Sequence, residues 1–248
     1  MSSDHAGRVL SRRDALTWLG AAGLTGLAAA CGSSGTKAAS ASRATTSTSA
    51  ADLSAGVADT TTVASTTCVL TPELTEGPYY IAGEAIRTDI TEGKAGMPLR
   101  LALVVSNISR CTGVANASID IWHADAGGNY SGFNATASNR TFLRGTQVTD
   151  ASGAAGFHTI YPGWYSGRAT HIHVKVHVAG NVVHTGQLFF DEATNTAVYA
   201  TAPYNSHGGT RTMNSQDSIY NGGGSQSIVR VSQEGSGLVG TITMGVRI

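Results

Sequence analysis

The stretch that decides the fold is "HIHVKVHV", residues 171–178, in which polar and β-branched side chains alternate without interruption. Successive side chains of a β-strand point to opposite faces, so the histidines share one face with Lys175 while the isoleucine and valines share the other. The apolar face is therefore predicted to lie in a hydrophobic core. On the polar face His171 and His173 project together, about 7 Å apart along the strand, which is near enough to bind one metal ion. The ordinary alternative is a solvated face, on which Lys175 and His177 are expected.

Short alternating or β-branched runs recur between turn signals along the rest of the chain. The other predicted strands are LRLALVVS (99–106), ASIDIWHA (117–124), GTQVTD (145–150), AAGFHTIY (154–161), VVHTGQLFF (182–190) and GLVGTITMGVRI (237–248). Small residues that tolerate left-handed backbone mark hairpin turns at 150–153 and 179–181. No amphipathic helix is predicted after residue 30. The pattern predicts an all-β domain, either an antiparallel sandwich or a barrel.

The beginning of the chain differs in composition from the rest. Residues 1–30 contain a paired arginine, an apolar run and a small-residue "AAA", which predicts a twin-arginine export signal, with an ordinary secretory signal as the alternative. Residues 31–67 are rich in Ser, Thr and Ala and predict a flexible tether. Cys31 either accepts a lipid or directly follows a simple cleavage site. Residues 68–248 remain as one domain with one core.

The charge balance argues against a polyanionic partner. The chain has 16 basic and 16 acidic side chains, so it carries no electrostatic footprint for nucleic acid or an anionic membrane. An exported protein of this kind would reach a membrane only through a lipid on Cys31. Outside the cytoplasm Cys68 and Cys111 form an even pair, which predicts a disulfide. No sequence pattern indicates an oligomeric state.

Two tyrosines accompany the histidine pair. Tyr165 stands six residues before His171, and Tyr130 follows a predicted strand after a glycine pair that lets the chain fold back. Two imidazoles and two phenols, without a third histidine or a carboxylate, favour a hard trivalent ion such as ferric iron, whose charge lowers the phenol pKa from about 10. The alternative is that each tyrosine packs at a sheet edge with its hydroxyl hydrogen-bonded.

These residues and their spacing resemble the intradiol ring-cleavage dioxygenases, the family of the catechol and protocatechuate dioxygenases. The likeness runs from about Thr75 to Phe190 and is strongest in "TEGPYY", "IDIWHADAGGNYSGF", "FLRGTQVTDASGAAGFHTIYPGWYSGRATHIHVKV" and "TGQLFF". The resemblance implies that residues 68–248 form the antiparallel β-sandwich of that family. It also implies a non-haem Fe(III) site whose ligands are Tyr130, Tyr165, His171 and His173.

The resemblance implies a reaction as well. Both atoms of O2 enter a catechol-type aromatic diol, and the ring opens between the two hydroxylated carbons to a muconate-type dicarboxylic acid. It places Arg168 and Gln187 at the substrate cavity and makes Tyr165 the ligand that substrate displaces, while Tyr161 is a neighbour that does not bind the metal. A guanidinium at such a cavity can stabilise negative charge that develops on the substrate.

Each of these assignments has a simpler alternative. Arg168 could form a surface ion pair, and Gln187 could be an ordinary cross-strand residue. For the whole domain the alternatives are a sandwich that binds phenolics or carbohydrate without turnover, or a zinc hydrolase that uses the His-x-His pair.

Several other side chains match no ligand position of the family. His123 is predicted to have its ring nitrogens satisfied by hydrogen bonds, and Trp122 is predicted to be a packing residue. His177 and His184 are predicted to lie on the surface or in loops.

Overall fold

The computed structural model describes residues 68–133 and 137–248, and this part of the chain is a β-sandwich with two short helices. The predicted export signal, the tether and Cys31 lie outside the described residues. All seven predicted strands are present, and two strands that were not predicted, β2 and β8, accompany them. The strands are β1 (Pro98–Asn107), β2 (Thr112–Gly113), β3 (Ser118–Trp122), β4 (Arg144–Val148), β5 (Ala154–Ile160), β6 (His171–Val178), β7 (Asn181–Phe189), β8 (Arg230–Glu234) and β9 (Gly237–Val246).

The strands form two sheets. One has the order β2-β1-β9-β8, with β5 also paired to β1, and the other has the order β4-β3-β6-β7. Neighbouring strands are antiparallel except β1 and β9, which run parallel. A parallel pair needs a long crossover connection, and here most of the domain lies between the two strands. The predicted all-β sandwich is therefore confirmed, with one parallel pair that strand patterns alone do not indicate.

The core lies between the sheets, as the alternation in β6 predicts. Ile172, Val174 and Val176 are fully buried in the same cluster as Leu101 and Leu103 of β1. Each such side chain contributes about 1.5–3 kcal/mol when it is buried. A register shift of one residue would move these side chains out of the core, so the pairing register of β6 is strongly specified.

A segment before β1, residues 70–80, runs along the edge of the sandwich to the outer face of β6, and we call it the strap. The Thr71 N–H donates to Gly245 O of β9, and the Leu74 N–H donates to Thr185 O of β7, each at 2.9 Å. The strap therefore reaches the polar face of β6 from a distant part of the sequence.

The polar face of β6 is buried rather than solvated. His171, His173 and Lys175 are at most 8% exposed. Lys175 forms an ion pair with Glu76 of the strap, and its Nζ lies 3.8 Å from the ring centroid of Tyr80. The solvated-face alternative is wrong for Lys175, because the strap that covers it is remote in sequence.

The two histidines that were predicted to lie on the surface differ in their surroundings. His177 is half-buried, and its Nε2 lies 3.0 Å from Asp120 Oδ2. His184 is buried, and its Nδ1 lies 3.5 Å from the carboxylate of Glu73 in the strap. The surface prediction is wrong for His184 for the same reason as for Lys175.

Two short helices follow β7, although no amphipathic pattern predicts them. They are α1 (Glu192–Tyr199) and α2 (Ser218–Asn221). At the start of α1 the Thr194 N–H donates to the Asp191 side chain at 2.8 Å, which is a typical N-cap. The helix signal therefore lies in the cap and not in the periodicity. Within residues 68–133 and 137–248, no helix is long and apolar enough to cross a membrane.

Cys68 and Cys111 form the disulfide expected from the cysteine count. The bond joins the first described residue to the connection between β1 and β2, where Cys111 has a φ of +54°. The start of the strap is thereby attached to the sandwich.

Candidate metal centre

Two imidazole nitrogens and a phenol oxygen converge at one end of β6. His171 Nε2 lies 3.1 Å from His173 Nε2 and 3.2 Å from Tyr165 Oη. The ring centroid of Tyr130 lies 5.7 Å from that of Tyr165 and 5.9 Å from that of His173. The structure therefore brings together all four predicted ligand side chains, which we call the donor cluster.

Three local structures position the donor cluster. The strand β6 supplies both histidines on one face, and Tyr165 begins a tight turn that is closed by a bridge to Arg168. Tyr130 follows a turn in which Asp125 Oδ1 accepts from the Asn129 N–H at 2.9 Å. Gly128 in this turn has a φ of +80°, and a Cβ there would lie 2.5 Å from a backbone oxygen. Gly128 is therefore required for the close approach that places Tyr130.

The two histidines of the donor cluster are neutral. His171 Nδ1 donates to Ala169 O at 2.6 Å, which leaves the Nε2 lone pair directed at the cluster. Burial, together with the positive charge of Arg168, lowers the pKa of His171 to about 3. Burial and the neighbouring His171 place the pKa of His173 well below its ordinary value. Both imidazoles are neutral near pH 7, as a metal ligand requires.

The two phenols have properties that fit a cation. Burial raises the pKa of Tyr130 well above its ordinary value and also raises the pKa of Tyr165. Among the described residues, no hydrogen bond of good geometry reaches the buried Tyr130 hydroxyl, although the nearby Tyr165 hydroxyl also raises its pKa. A buried hydroxyl without a partner costs about 1–3 kcal/mol. A bound cation would give this oxygen a partner and would favour its ionised form. In the described part of the chain no three His, Cys, Asp or Glu side chains are grouped to hold a metal, so a metal at this position would depend on phenol oxygens.

Aromatic rings and a glycine form the walls of the cluster. Tyr79 of the strap stacks on Tyr130 with a centroid distance of 4.2 Å, and Trp122 stacks on His173 at 4.9 Å. Gly77 has a φ of +72°, and a Cβ at this residue would lie 3.0 Å from His173 Cε1. Trp122 packs as predicted. The sequence could not place Tyr79 and Gly77, although both lie in a segment that resembles the family.

The two predicted cavity residues contact each other beside the cluster. Arg168 donates from Nη2 to Gln187 Oε1 at 2.5 Å and from Nε to Asp217 Oδ2 at 2.9 Å. Gln187 is the cross-strand partner of His173, and its Nε2 donates to Thr75 O at 2.9 Å. Gln187 is therefore both a cross-strand residue and the link between the strap and Arg168.

Asp217 is the residue at this site that sequence reasoning missed. Its Oδ2 also accepts from the Ala169 N–H at 2.8 Å, and its Oδ1 accepts from the Ile219 N–H at 2.7 Å at the start of α2. Burial raises the pKa of Asp217, but the Ala169 hydrogen bond and the Arg168 charge outweigh burial and lower it overall. The available sequence signal was an Asp at a helix N-cap, which does not indicate a contact with Arg168.

Two other aromatic residues of the segment 161–165 are occupied elsewhere. Tyr161 is buried and donates to Asn195 Oδ1 at 2.8 Å. The ring of Trp164 lies 4.0 Å from that of His207. Tyr161 therefore bonds to α1, as expected of a residue that is not a ligand.

A family model described as "Dioxygenase" matches residues 75–202, a range that includes the whole donor cluster, Arg168 and Gln187. Among solved structures, the intradiol ring-cleavage dioxygenase from Tetranychus urticae is similar, with a TM-score of 0.69 and 36% identity. The match covers 73% of this chain and 95% of that chain.

Two curated proteins are similar over shorter stretches. Chlorocatechol 1,2-dioxygenase of Rhodococcus opacus is 27% identical over 139 residues, which are 48% of this chain and 54% of that protein. Catechol 1,2-dioxygenase 1 of Acinetobacter lwoffii is 35% identical over 101 residues, which are 38% of this chain and 32% of that protein. The matched region thus spans about half or a third of these relatives.

Proposed function

Since the chain belongs to the intradiol ring-cleavage dioxygenase family, we propose that it is a non-haem Fe(III) enzyme that inserts both atoms of O2 into a catechol. The ring opens between the two hydroxylated carbons to give a muconate-type dicarboxylic acid. The observation that carries the proposal is the convergence of two neutral imidazoles and two phenols, one buried and one half-buried, at one end of β6.

His171, His173, Tyr130 and Tyr165 would hold the iron. When bound, ferric iron supplies Lewis-acid activation of the two substrate oxygens. Phenolate is a hard anionic donor, and phenols whose pKa is raised by burial would ionise only beside a strong positive charge. This requirement favours a trivalent ion over zinc.

The two phenols differ in exposure and packing, and we assign them different roles. Tyr130 is 3% exposed and is fixed by its stack with Tyr79. Tyr165 is only half-buried and lies on a short turn. We therefore assign to Tyr165 the movement away from the cluster when substrate binds, with its phenol oxygen taking up a proton from a catechol hydroxyl.

Arg168 would donate a hydrogen bond to negative charge that develops on the substrate ring. Its bonds from Nε to Asp217 and from Nη2 to Gln187 hold the guanidinium beside the cluster. A preorganised donor of this kind contributes about 10²–10³-fold to kcat. The strap with Tyr79 and the ring of Trp122 would keep water away from the reacting centre.

The proposal includes export from the cytoplasm. A disulfide persists in oxidising compartments, so the Cys68–Cys111 bond supports a location outside the cytoplasm. Lipid attachment at Cys31 and simple cleavage after Ala30 are distinguished by the mass of the mature N-terminal peptide.

The visible spectrum of the purified, iron-loaded protein tests the proposed function, before and after catechol is added without oxygen. A red-brown band that moves to longer wavelength with catechol is expected. Tyr165→Phe should alter this band, whereas the matched control Tyr161→Phe should keep it, because Tyr161 bonds to Asn195. A colourless protein that retains iron or zinc would contradict tyrosinate ligation and would favour a phenolic-binding module or a zinc hydrolase.

A further inference from the structure

The cations next to the donor cluster and its walls are each paired with a carboxylate. In the part of the chain that the structure describes, these pairs are Arg168–Asp217, Arg144–Glu84 and Lys175–Glu76. The site therefore presents hydrogen-bond donors without an excess positive charge. Another cationic side chain, Arg140, lines a separate surface cavity together with the acidic residues Glu92 and Asp125.

The ion pair between Arg168 and Asp217 has a buried carboxylate and a partly exposed guanidinium. The Asp217 side chain is 1% exposed, whereas that of Arg168 is 20% exposed. Asp217 is held from three directions, by Arg168 Nε at 2.9 Å, by the Ala169 N–H at 2.8 Å and by the Ile219 N–H at 2.7 Å. These three hydrogen bonds fix the carboxylate beside the Arg168 guanidinium.

The neighbouring wall of the site is aromatic. The Tyr79 ring meets the edge of Tyr165 at 6.4 Å and that of Phe133 at 5.2 Å, in addition to its stack on Tyr130. Phe133 is 41% exposed, so the aromatic surface continues to solvent. A substituent on a bound catechol that lies along this wall meets carbon and π-faces.

We propose that the substrates are catechols whose ring substituents are uncharged, and that Asp217 sets this selectivity by neutralising Arg168. The inference rests on the proposed function. A ring carboxylate against the buried part of this wall, beside Tyr130, would lose part of its hydration, and the nearby guanidinium is already matched by a buried carboxylate. An uncharged group such as hydrogen, methyl or an amide does not need a compensating positive charge at this wall.

The test compares 3,4-dihydroxybenzoate with 3,4-dihydroxybenzamide, which has nearly the same size and shape but no charge, and with catechol and 4-methylcatechol. For the iron-loaded wild-type protein we measure dissociation constants by anaerobic titration of the visible band, and kcat/KM by ultraviolet detection of ring opening. The benzamide is expected to bind about 100-fold more tightly than the benzoate. Because the substituent also changes the acidity of the catechol hydroxyls, each dissociation constant is referred to the binding of the same diol to ferric iron in solution.

Asp217→Asn provides the second arm, since it keeps the shape of the side chain and removes its charge. This variant should reduce the ratio of the benzoate dissociation constant to the benzamide dissociation constant about tenfold, because the Arg168 charge becomes available to the benzoate. Asp217→Glu should retain the wild-type ratio. Glu234→Gln, which neutralises an exposed carboxylate paired with Arg100 on the other sheet, should also retain it.

The outcomes distinguish a failure of the proposed function from a failure of the proposed selectivity. If no diol shifts the band or is cleaved, the proposed function fails. If the wild-type protein is active but binds benzoate and benzamide equally, only the selectivity fails. An unchanged ratio in a folded, iron-loaded Asp217→Asn protein would overturn the role of Asp217, and if that variant does not fold, the wild-type comparison still decides the substrate class.

Discussion

Gly77 provides a sharp test of how the strap supports the donor cluster. Its backbone has a φ of +72°, and an added Cβ would lie 3.0 Å from His173 Cε1. Gly83, six residues later, has a φ of +79° with nothing within 4 Å of the position of a Cβ. Gly77→Ala and Gly83→Ala therefore impose the same backbone strain, and only the first adds a contact with a proposed ligand.

The expected losses of stability and of iron affinity follow from the backbone strain and from the added contact with His173. Left-handed backbone costs an alanine about 1–2 kcal/mol relative to the right-handed conformation. The reduced flexibility of the unfolded chain offsets about 0.4–1 kcal/mol of this cost. Both variants should therefore lose about 1 kcal/mol of unfolding free energy in the metal-free state. In Gly77→Ala the imidazole or the strap must also shift, and a loss of about 1.4 kcal/mol at the ligand corresponds to about tenfold weaker iron binding.

The assay has two parts. Urea unfolding of the metal-free proteins reports the backbone term, and competition with a chelator, followed by the visible band, reports iron affinity. Equal iron affinity in the two variants would refute the proposed contact between Gly77 and His173. A Gly83→Ala protein as stable as wild type would refute the strain argument.

Three further results are expected. Tyr130→Phe removes a buried hydroxyl that has no well-formed hydrogen bond among the described residues, so the unfolding free energy of the metal-free protein should change by less than about 1 kcal/mol. Iron binding and the visible band should be lost. A large destabilisation of the metal-free protein would contradict this reasoning. His123 is hydrogen-bonded as predicted, and burial lowers its pKa to about 4. Between about pH 6.5 and 4 the unfolded state therefore binds more protons than the folded state, so the free energy of unfolding falls as pH falls through this range. His123→Gln should remove up to about 3 kcal/mol of this fall, measured by urea unfolding at each pH. Replacing Cys68 and Cys111 by serine should lower unfolding free energy by up to about 4 kcal/mol, since the bond closes a loop with a sequence separation of 43, and wild type in reducing agent should match the variant.

Much of the donor cluster could be predicted because its parts are local. His171 and His173 share a strand face by the period of two, and a glycine pair next to Tyr130 indicates a sharp turn. The choice of Tyr165 over Tyr161 came from the resemblance to the family. In the structure Tyr165 Oη lies 3.2 Å from His171 Nε2, while the Tyr161 hydroxyl bonds to Asn195.

The residues that were mispredicted or missed are those covered by distant segments. Lys175 and His184 look solvated in a strand pattern, but Glu76 and Glu73 of the strap lie against them. Asp217 is 49 residues from Arg168, and its only local signal is that of a helix cap. Such contacts have no sequence period, because they depend on where a connection returns to the sheet.

By itself the sequence determined seven of the nine strands of the described residues, the core face of β6 and the kinds of donor atom at one end of that strand. These properties follow from side-chain alternation and local turns, which act over a few residues. Only the tertiary structure decided that β9 pairs in parallel with β1, that the strap buries the polar face of β6, and that Asp217 balances the charge of Arg168. These features depend on segments separated by about 50 to 140 residues, and they are stabilised by burial and charge pairing that exist only after the two sheets pack.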